Sequence, residues 1–138
     1  MDRLKGKVAI ITGGNSGVGE ATAKMFAKEG ATVVITARRE AALEKVAEEI
    51  KAAGGEVFAV STDISKKGDP ERLMDLVIEK YGKVDILVNN AGILEEGLKP
   101  IDRFSDEDLD RIIETNEKGT MRCMRAAAQK MQAGASIV

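Results

Sequence analysis

Thr12-Gly13-Gly14-Asn15-Ser16-Gly17-Val18-Gly19 is the stretch that decides the fold of this chain. It follows an apolar run, residues 7–12 (KVAIIT), that is rich in β-branched residues and too short for a helix. That run reads as a strand buried on both faces. Beyond the glycines, Ala21, Met25 and Phe26 fall on a helix that ends at Gly30. A glycine turn between a first strand and a first helix suits an anion, because the helix start presents unpaired N–H groups. A P-loop would place Lys after the last glycine, where Glu20 stands. The pattern G-x-G-x-x-G also fails, since Asn15 occupies its second glycine position. What is present is T-G-x-x-x-G-x-G. Gly13 permits the tight turn, Gly17 lets backbone approach a pyrophosphate, and Gly19 removes a side chain where helix and strand press together. The alternative is a glycine turn that serves the fold alone.

The same alternation continues outward. Residues 32–36 (TVVIT) and 57–61 (VFAVS) read as strands, and residues 85–89 (DILVN) as a fourth. Between them, Leu43, Val46, Ala47 and Ile50 make one face of a helix that stops at Gly54-Gly55. Asp69-Pro70 reads as an N-cap with Pro at the first helical position. That helix buries Leu73, Met74, Val77, Ile78 and Tyr81 and ends at Gly82. Ser105 and Asp108 form a variant capping box for a long final helix, with Asp106 and Glu107 near its positive end. Ser136-Ile137-Val138 begins a fifth strand. Strands alternating with crossover helices predict a parallel sheet of the α/β class in one domain spanning residues 1–138. Residues 93–102 form the one long loop, in which Glu95, Glu96 and Lys99 are expected to be solvated.

Composition narrows the chemistry. The 138 residues include no His or Trp, one Cys (Cys123) and one Tyr (Tyr81). A Ser-His or Cys-His nucleophile and a His-ligated zinc are excluded within the sequence, and no metal site is expected. A single Cys cannot form an internal disulfide, which favours a reducing compartment. The net charge of −2 gives no pull towards nucleic acid or an anionic membrane. Apolar runs are too short to span a bilayer, and the start lacks the apolar segment of a signal peptide. A cytoplasmic domain that borrows a cofactor is the expectation.

The glycine stretch together with Asn89-Asn90-Ala91-Gly92, each directly after its expected strand, resembles the short-chain dehydrogenase/reductase family. The resemblance implies a Rossmann-type doubly wound parallel sheet, here cut off at the start of the fifth strand. It also implies an oxidoreductase that uses a nicotinamide dinucleotide. Gly13, Asn15, Ser16, Gly17, Val18 and Gly19 would then cradle the cofactor. Asp63-Ile64 matches the pair that contacts adenine, although an Asx turn accounts for Asp63 equally well. Asn90, Ala91 and Gly92 match the segment lying along the cofactor, with an ordinary strand-ending turn as the alternative.

The end of the second strand selects the cofactor. A carboxylate there favours NAD, whereas Arg pairs with the 2′-phosphate of NADP. This chain has Ala37-Arg38-Arg39, so NADP is expected over NAD, with Arg38 as phosphate partner and Arg39 as a second. Two solvating arginines are the alternative.

On the final helix, Leu109, Ile112 and Ile113 suggest an inward apolar stripe whose next position is Asn116. An amide there needs a partner, since leaving it unsatisfied costs ~1 to 3 kcal/mol. Helix backbone could satisfy it. Through the family resemblance, ETNEKGT matches the segment whose Asn organises a proton-relay water, making Asn116 the catalytic candidate. The resemblance also implies a Ser and a Tyr-x-x-x-Lys for proton transfer to an alcohol or ketone substrate. The residue four after Tyr81 is Asp85, and the sequence stops before the expected positions. The expectation is therefore a truncated, cofactor-binding half, weak in catalysis alone because its acid/base term of ~10²- to 10⁴-fold is missing. Its fourth strand would be a poorly covered edge. Met121, Met124 and Met131 lie on the helix that implies a homo-oligomer in the full-length form, with packing inside the domain as the alternative. A non-catalytic dinucleotide sensor and a fragment completed by another chain are the competing functions.

Overall fold

The computed structural model describes residues 2–94 and 97–138; Glu95 and Glu96 lie outside the described residues. Five strands form one sheet: β1 Val8–Thr12, β2 Thr32–Ala37, β3 Glu56–Ser61, β4 Ile86–Val88 and β5 Ser136–Ile137. Their order is β3-β2-β1-β4-β5, and every pairing is parallel. This is the α/β, Rossmann-type sheet that the sequence pattern predicts. β4 is not an edge, because β5 pairs with it through Ile86–Ser136 and Leu87–Ile137.

The continuous apolar strands follow from cover on both faces. Side chains alternate across a strand, so β1 feeds two cores. Val8 and Ile10 pack with Leu73, Met74 and Val77 of α3 (Asp69–Tyr81) and with Cys123, Ala126 and Ala127 of α5 (Thr120–Ala128). Ala9 and Ile11 pack with Ala23 of α1 (Gly17–Lys28) and with Leu43, Val46, Ala47 and Ile50 of α2 (Glu40–Ala52). Tyr81 makes an edge-on contact with Phe58, its centroid 6.2 Å away, and burial pushes its hydroxyl up to about 12. It packs against the core, and its hydroxyl donates to Glu56 Oε1 at 3.4 Å.

Three local expectations need correction. Helix α3 begins at Asp69, with Gly68 as N-cap in the left-handed region; the Asp69 carboxylate instead accepts from the Asp63 N–H at 2.9 Å. Lys99 is not merely solvated. Its ammonium donates to Asp108 Oδ2 at 2.6 Å and ties the loop to the start of α4 (Asp106–Ile112). The long final helix is also not one α-helix. It runs through α4, a π-helical segment Ile113–Gly119, and α5. The capping box does form at its start, Ser105 Oγ accepting from Asp108 N at 3.1 Å while Asp108 Oδ2 accepts from Ser105 N at 2.9 Å.

The predicted inward stripe is not what the structure buries. Leu109 and Ile113 are each 44% exposed, and Asn116 is exposed as well. The inward face is made by Thr115, Gly119, Cys123, Ala126 and Ala127. Met124 and Met131 pack against the core, while Met121 is 58% exposed.

Candidate functional site

A cavity of about 720 Å³ opens at the C-terminal ends of β1, β2, β3 and β4. β1 lies between β2 and β4, so the chain leaves it in opposite directions and a crevice opens there. Gly13, Asn15, Ser16, Gly17, Val18, Arg38, Arg39, Asp63, Ile64, Asn90, Ala91 and Gly92 all line this cavity. Residues that sequence reasoning brought forward from separate segments thus line one cavity. Thr12 and Ala37, read in sequence as motif positions, complete it together with Thr36, Thr62, Ile93 and Thr115, which were not singled out.

The glycine turn is held from below. Gly13 N and Gly14 N donate to the Thr36 carbonyl at 2.8 and 3.3 Å, so β2 takes these two N–H groups. Gly13 has φ +68, and a Cβ there would stand 2.8 Å from Asn90 Nδ2. Gly17 has φ +55 with open space where a Cβ would project. Ser16 sits at the N-cap of α1 without using its hydroxyl to cap. The first-turn N–H groups of α1 therefore have no side-chain cap. Gly19 is the exception among the expected contact residues. It does not line the cavity; a Cβ on it would lie 2.1 Å from the Gly13 carbonyl oxygen and 2.5 Å from Asn90 Nδ2. Its work is close packing, the other half of the role read for it from sequence.

Thr12 is the hub that sequence reasoning missed. Its Oγ1 accepts from Asn90 N and Ala91 N, both at 3.0 Å, and lies 3.4 Å from the Val88 carbonyl, to which it donates. Asn90 Nδ2 in turn donates to the Gly13 carbonyl at 3.2 Å. The turn after β1 and the turn after β4 are thereby tied together by three hydrogen bonds. Sequence placed Thr12 at the head of the glycine motif but gave no role to its hydroxyl, since β-propensity already explains a Thr ending a strand.

Around the rest of the rim, Arg38 and Arg39 stand exposed beyond β2. Among the described residues neither guanidinium has a partner. Asp63 Oδ1 accepts from Ser65 N at 3.0 Å and Ser65 Oγ at 2.6 Å, so the Asx turn is real and coexists with a place on the cavity wall. Asn116 lies beside Thr115 and clasps Ile93: its Oδ1 accepts from Ile93 N and its Nδ2 donates to the Ile93 carbonyl, both at 2.7 Å. Its amide is satisfied by the segment after β4, not by burial in the helix face. Among the described residues no cluster of His, Cys, Asp and Glu could hold a metal ion, and no helix is long and apolar enough to cross a membrane.

The family model described as short chain dehydrogenase matches residues 7–138. The chain belongs to the short-chain dehydrogenase family. The oxidoreductase Lin0452 of Listeria innocua is 42% identical over 123 residues, covering 89% of this chain and 49% of that protein. The 3-oxoacyl-[acyl-carrier-protein] reductase FabG of Thermotoga maritima is 36% identical over 138 residues, covering 99% of this chain and 55% of the reductase. Among solved structures, a short chain dehydrogenase from Burkholderia cenocepacia in complex with NADP superposes with a TM-score of 0.90 at 35% identity. The match covers 98% of this chain and 55% of that one. The chain spans about half the length of the curated relatives it matches. As a member of that family it has the parallel sheet, with the cavity where such sheets bind ligands.

Proposed function

We propose that this chain is the cofactor-binding portion of an NADP(H)-dependent oxidoreductase acting on a secondary alcohol or ketone. The observation that carries the cofactor choice is the end of β2. Ala37 leaves that rim without a carboxylate, and Arg38 and Arg39, whose guanidinium groups have no partner among the described residues, follow it on the cavity wall. A 2′-phosphate matches the planar donor fork of Arg, and a carboxylate at residue 37 would have repelled it. NADP in the Burkholderia relative is consistent with this reading.

The residues present fit such a cofactor. The uncapped start of α1 and the open space at Gly17 would take the pyrophosphate, through backbone N–H groups and the positive end of the helix. Asp63 would accept from the adenine amine with the carboxylate capacity that Ser65 leaves, and Ile64 would pack beside it. Asn90, Ala91 and Gly92 would run along the cofactor, pinned by Thr12. When bound, the nicotinamide supplies hydride chemistry. Asn116 keeps Ile93 in place on the substrate side. Because both of its amide atoms are committed there, we assign its part in a proton relay to positioning. The proton donor itself would lie outside these residues, for no Tyr here is followed by Lys four places on. Full-length assembly as a homo-oligomer, through the helix face carrying Met121, belongs to the same proposal.

Titrating NADPH and NADH by fluorescence against the chain and its Arg38→Ala variant tests the cofactor choice. Removing a charge-assisted pair of about 1.5 to 3 kcal/mol should weaken NADPH binding roughly 10- to 100-fold and leave NADH within about twofold. Unchanged NADPH affinity would sink the assignment.

A further inference from the structure

The Asp63 loop is gripped from a helix that ordinary sequence patterns do not connect to it. Gly119, at the end of the π segment, lets the helix approach so closely that a Cβ there would lie 2.9 Å from the Ile64 carbonyl oxygen. One turn further on, Arg122 is only 12% exposed and bridges two elements. Its Nη1 donates to the Ser65 carbonyl at 3.1 Å, and its Nη2 pairs with Glu114 Oε1 at 2.7 Å. Ser65 is the residue whose N–H and hydroxyl both bond the Asp63 carboxylate. Glu114 is followed directly by Thr115, which lines the cavity, and by Asn116, which holds the lining residue Ile93. Glu114 also meets Lys118 at 3.2 Å, and its carboxyl is held below the ordinary range, first by Arg122 and then by Lys118.

We propose that Arg122 is a positioning residue that fixes the Asp63–Ser65 loop to the π segment, so that the adenine edge of the cavity and the Asn116 side are set by one guanidinium. A planar fork suits this task because it reaches a carbonyl and a carboxylate at once in a fixed geometry. Lys could hold either partner but not both in register. The link to cofactor affinity rests on the reading of Asp63 given above; the tether itself does not.

The test has two arms on the full 138-residue chain. In the first, hydrogen exchange without ligand follows the Ser65 amide in wild type, Arg122→Met and Arg122→Lys. Arg122→Met keeps the apolar volume, and unchanged exchange in β1 verifies that the fold persists. The Ser65 amide should exchange about tenfold faster in Arg122→Met, with partial recovery in Arg122→Lys. Unchanged Ser65 exchange overturns the tether. In the second arm, NADPH affinity is measured in a double-mutant cycle with Asp63→Ala. Arg122→Met should weaken binding about fivefold alone and add less than about twofold on top of Asp63→Ala, because both act through one loop. Losses that multiply would overturn positioning through Asp63. A wild-type chain that binds neither NADPH nor NADH overturns the cofactor reading alone, and the exchange arm still decides the tether.

Discussion

Gly19→Ala and Gly17→Ala separate the two jobs of the glycine turn, packing and access. At Gly19 the added Cβ would lie 2.1 Å from the Gly13 carbonyl oxygen and 2.8 Å from the Gly13 carbonyl carbon. Both are backbone atoms of a turn already bonded to Thr36, so no flexible side chain can yield. Alanine would gain roughly 0.5 to 1 kcal/mol from helix propensity in α1. Overpacking against fixed backbone costs about 1 to 3 kcal/mol and sometimes more. With over an ångström of displacement required, the upper end applies and the clash wins, leaving a net loss of about 2 to 3 kcal/mol. At Gly17 nothing lies within 4 Å of the added Cβ, and the only penalty is its φ of +55. That costs about 1 to 2 kcal/mol. Urea-induced unfolding of the two variants reads the difference as a shift in midpoint at constant slope. Gly19→Ala should be the less stable of the two, while Gly17→Ala should show the larger loss of NADPH affinity relative to its stability. A Gly19→Ala midpoint equal to wild type would refute the packing account.

Three further outcomes follow from named contacts. Thr12→Val removes the acceptor shared by Asn90 N and Ala91 N, and two unpaired, half-buried amides should cost about 2 to 4 kcal/mol. Thr12→Ser should recover most of it by the same urea assay. The Asp108 carboxyl is held at about 2, first by the Lys99 ammonium and then by the Ser105 N–H. Its folded value lies below the unfolded one, so the stabilisation is full above about pH 4 and lost as pH falls towards 2. Acid titration of Asp108→Asn should therefore show a flatter profile in that window, and an identical profile would remove the pair from the account. Burial pushes the Cys123 thiol up to about 12, so thiol reagents should label it only as fast as the chain opens. Labelling of the folded chain at the rate of a free thiol would contradict that burial.

Much of the fold was legible because its physics is local. β1, β2 and β3 announce themselves as short β-branched runs covered on both faces, and α2 carries its buried residues at helical spacing. The capping box at Ser105 and Asp108 is a three-residue pattern that forms as read. The cavity was legible by another route. In a parallel sheet the segments after successive strands emerge at one end, so placing the glycine turn, Arg38, Asp63 and Asn90 after their strands already places them together. Contacts between distant segments were not legible. Thr12 joining Asn90, Lys99 joining Asp108 and Arg122 joining Ser65 depend on three-dimensional reach, and no periodicity encodes them.

The π segment shows how one local departure propagates into function. A 3.6-residue period extends the face of Leu109 and Ile113 to Asn116, and would bury that amide. A wider turn across Ile113–Gly119 changes the phase. It brings Thr115 and Gly119 inward and carries Asn116 to the rim. The inward turn has a physical cause in Gly119, whose missing side chain admits the Ile64 carbonyl at a distance no other residue allows. The same change of phase lets Asn116 take both the N–H and the carbonyl of Ile93. The residue chosen from sequence for being polar and buried is thus polar and exposed, and it bears on the cavity through Ile93, the lining residue that it holds.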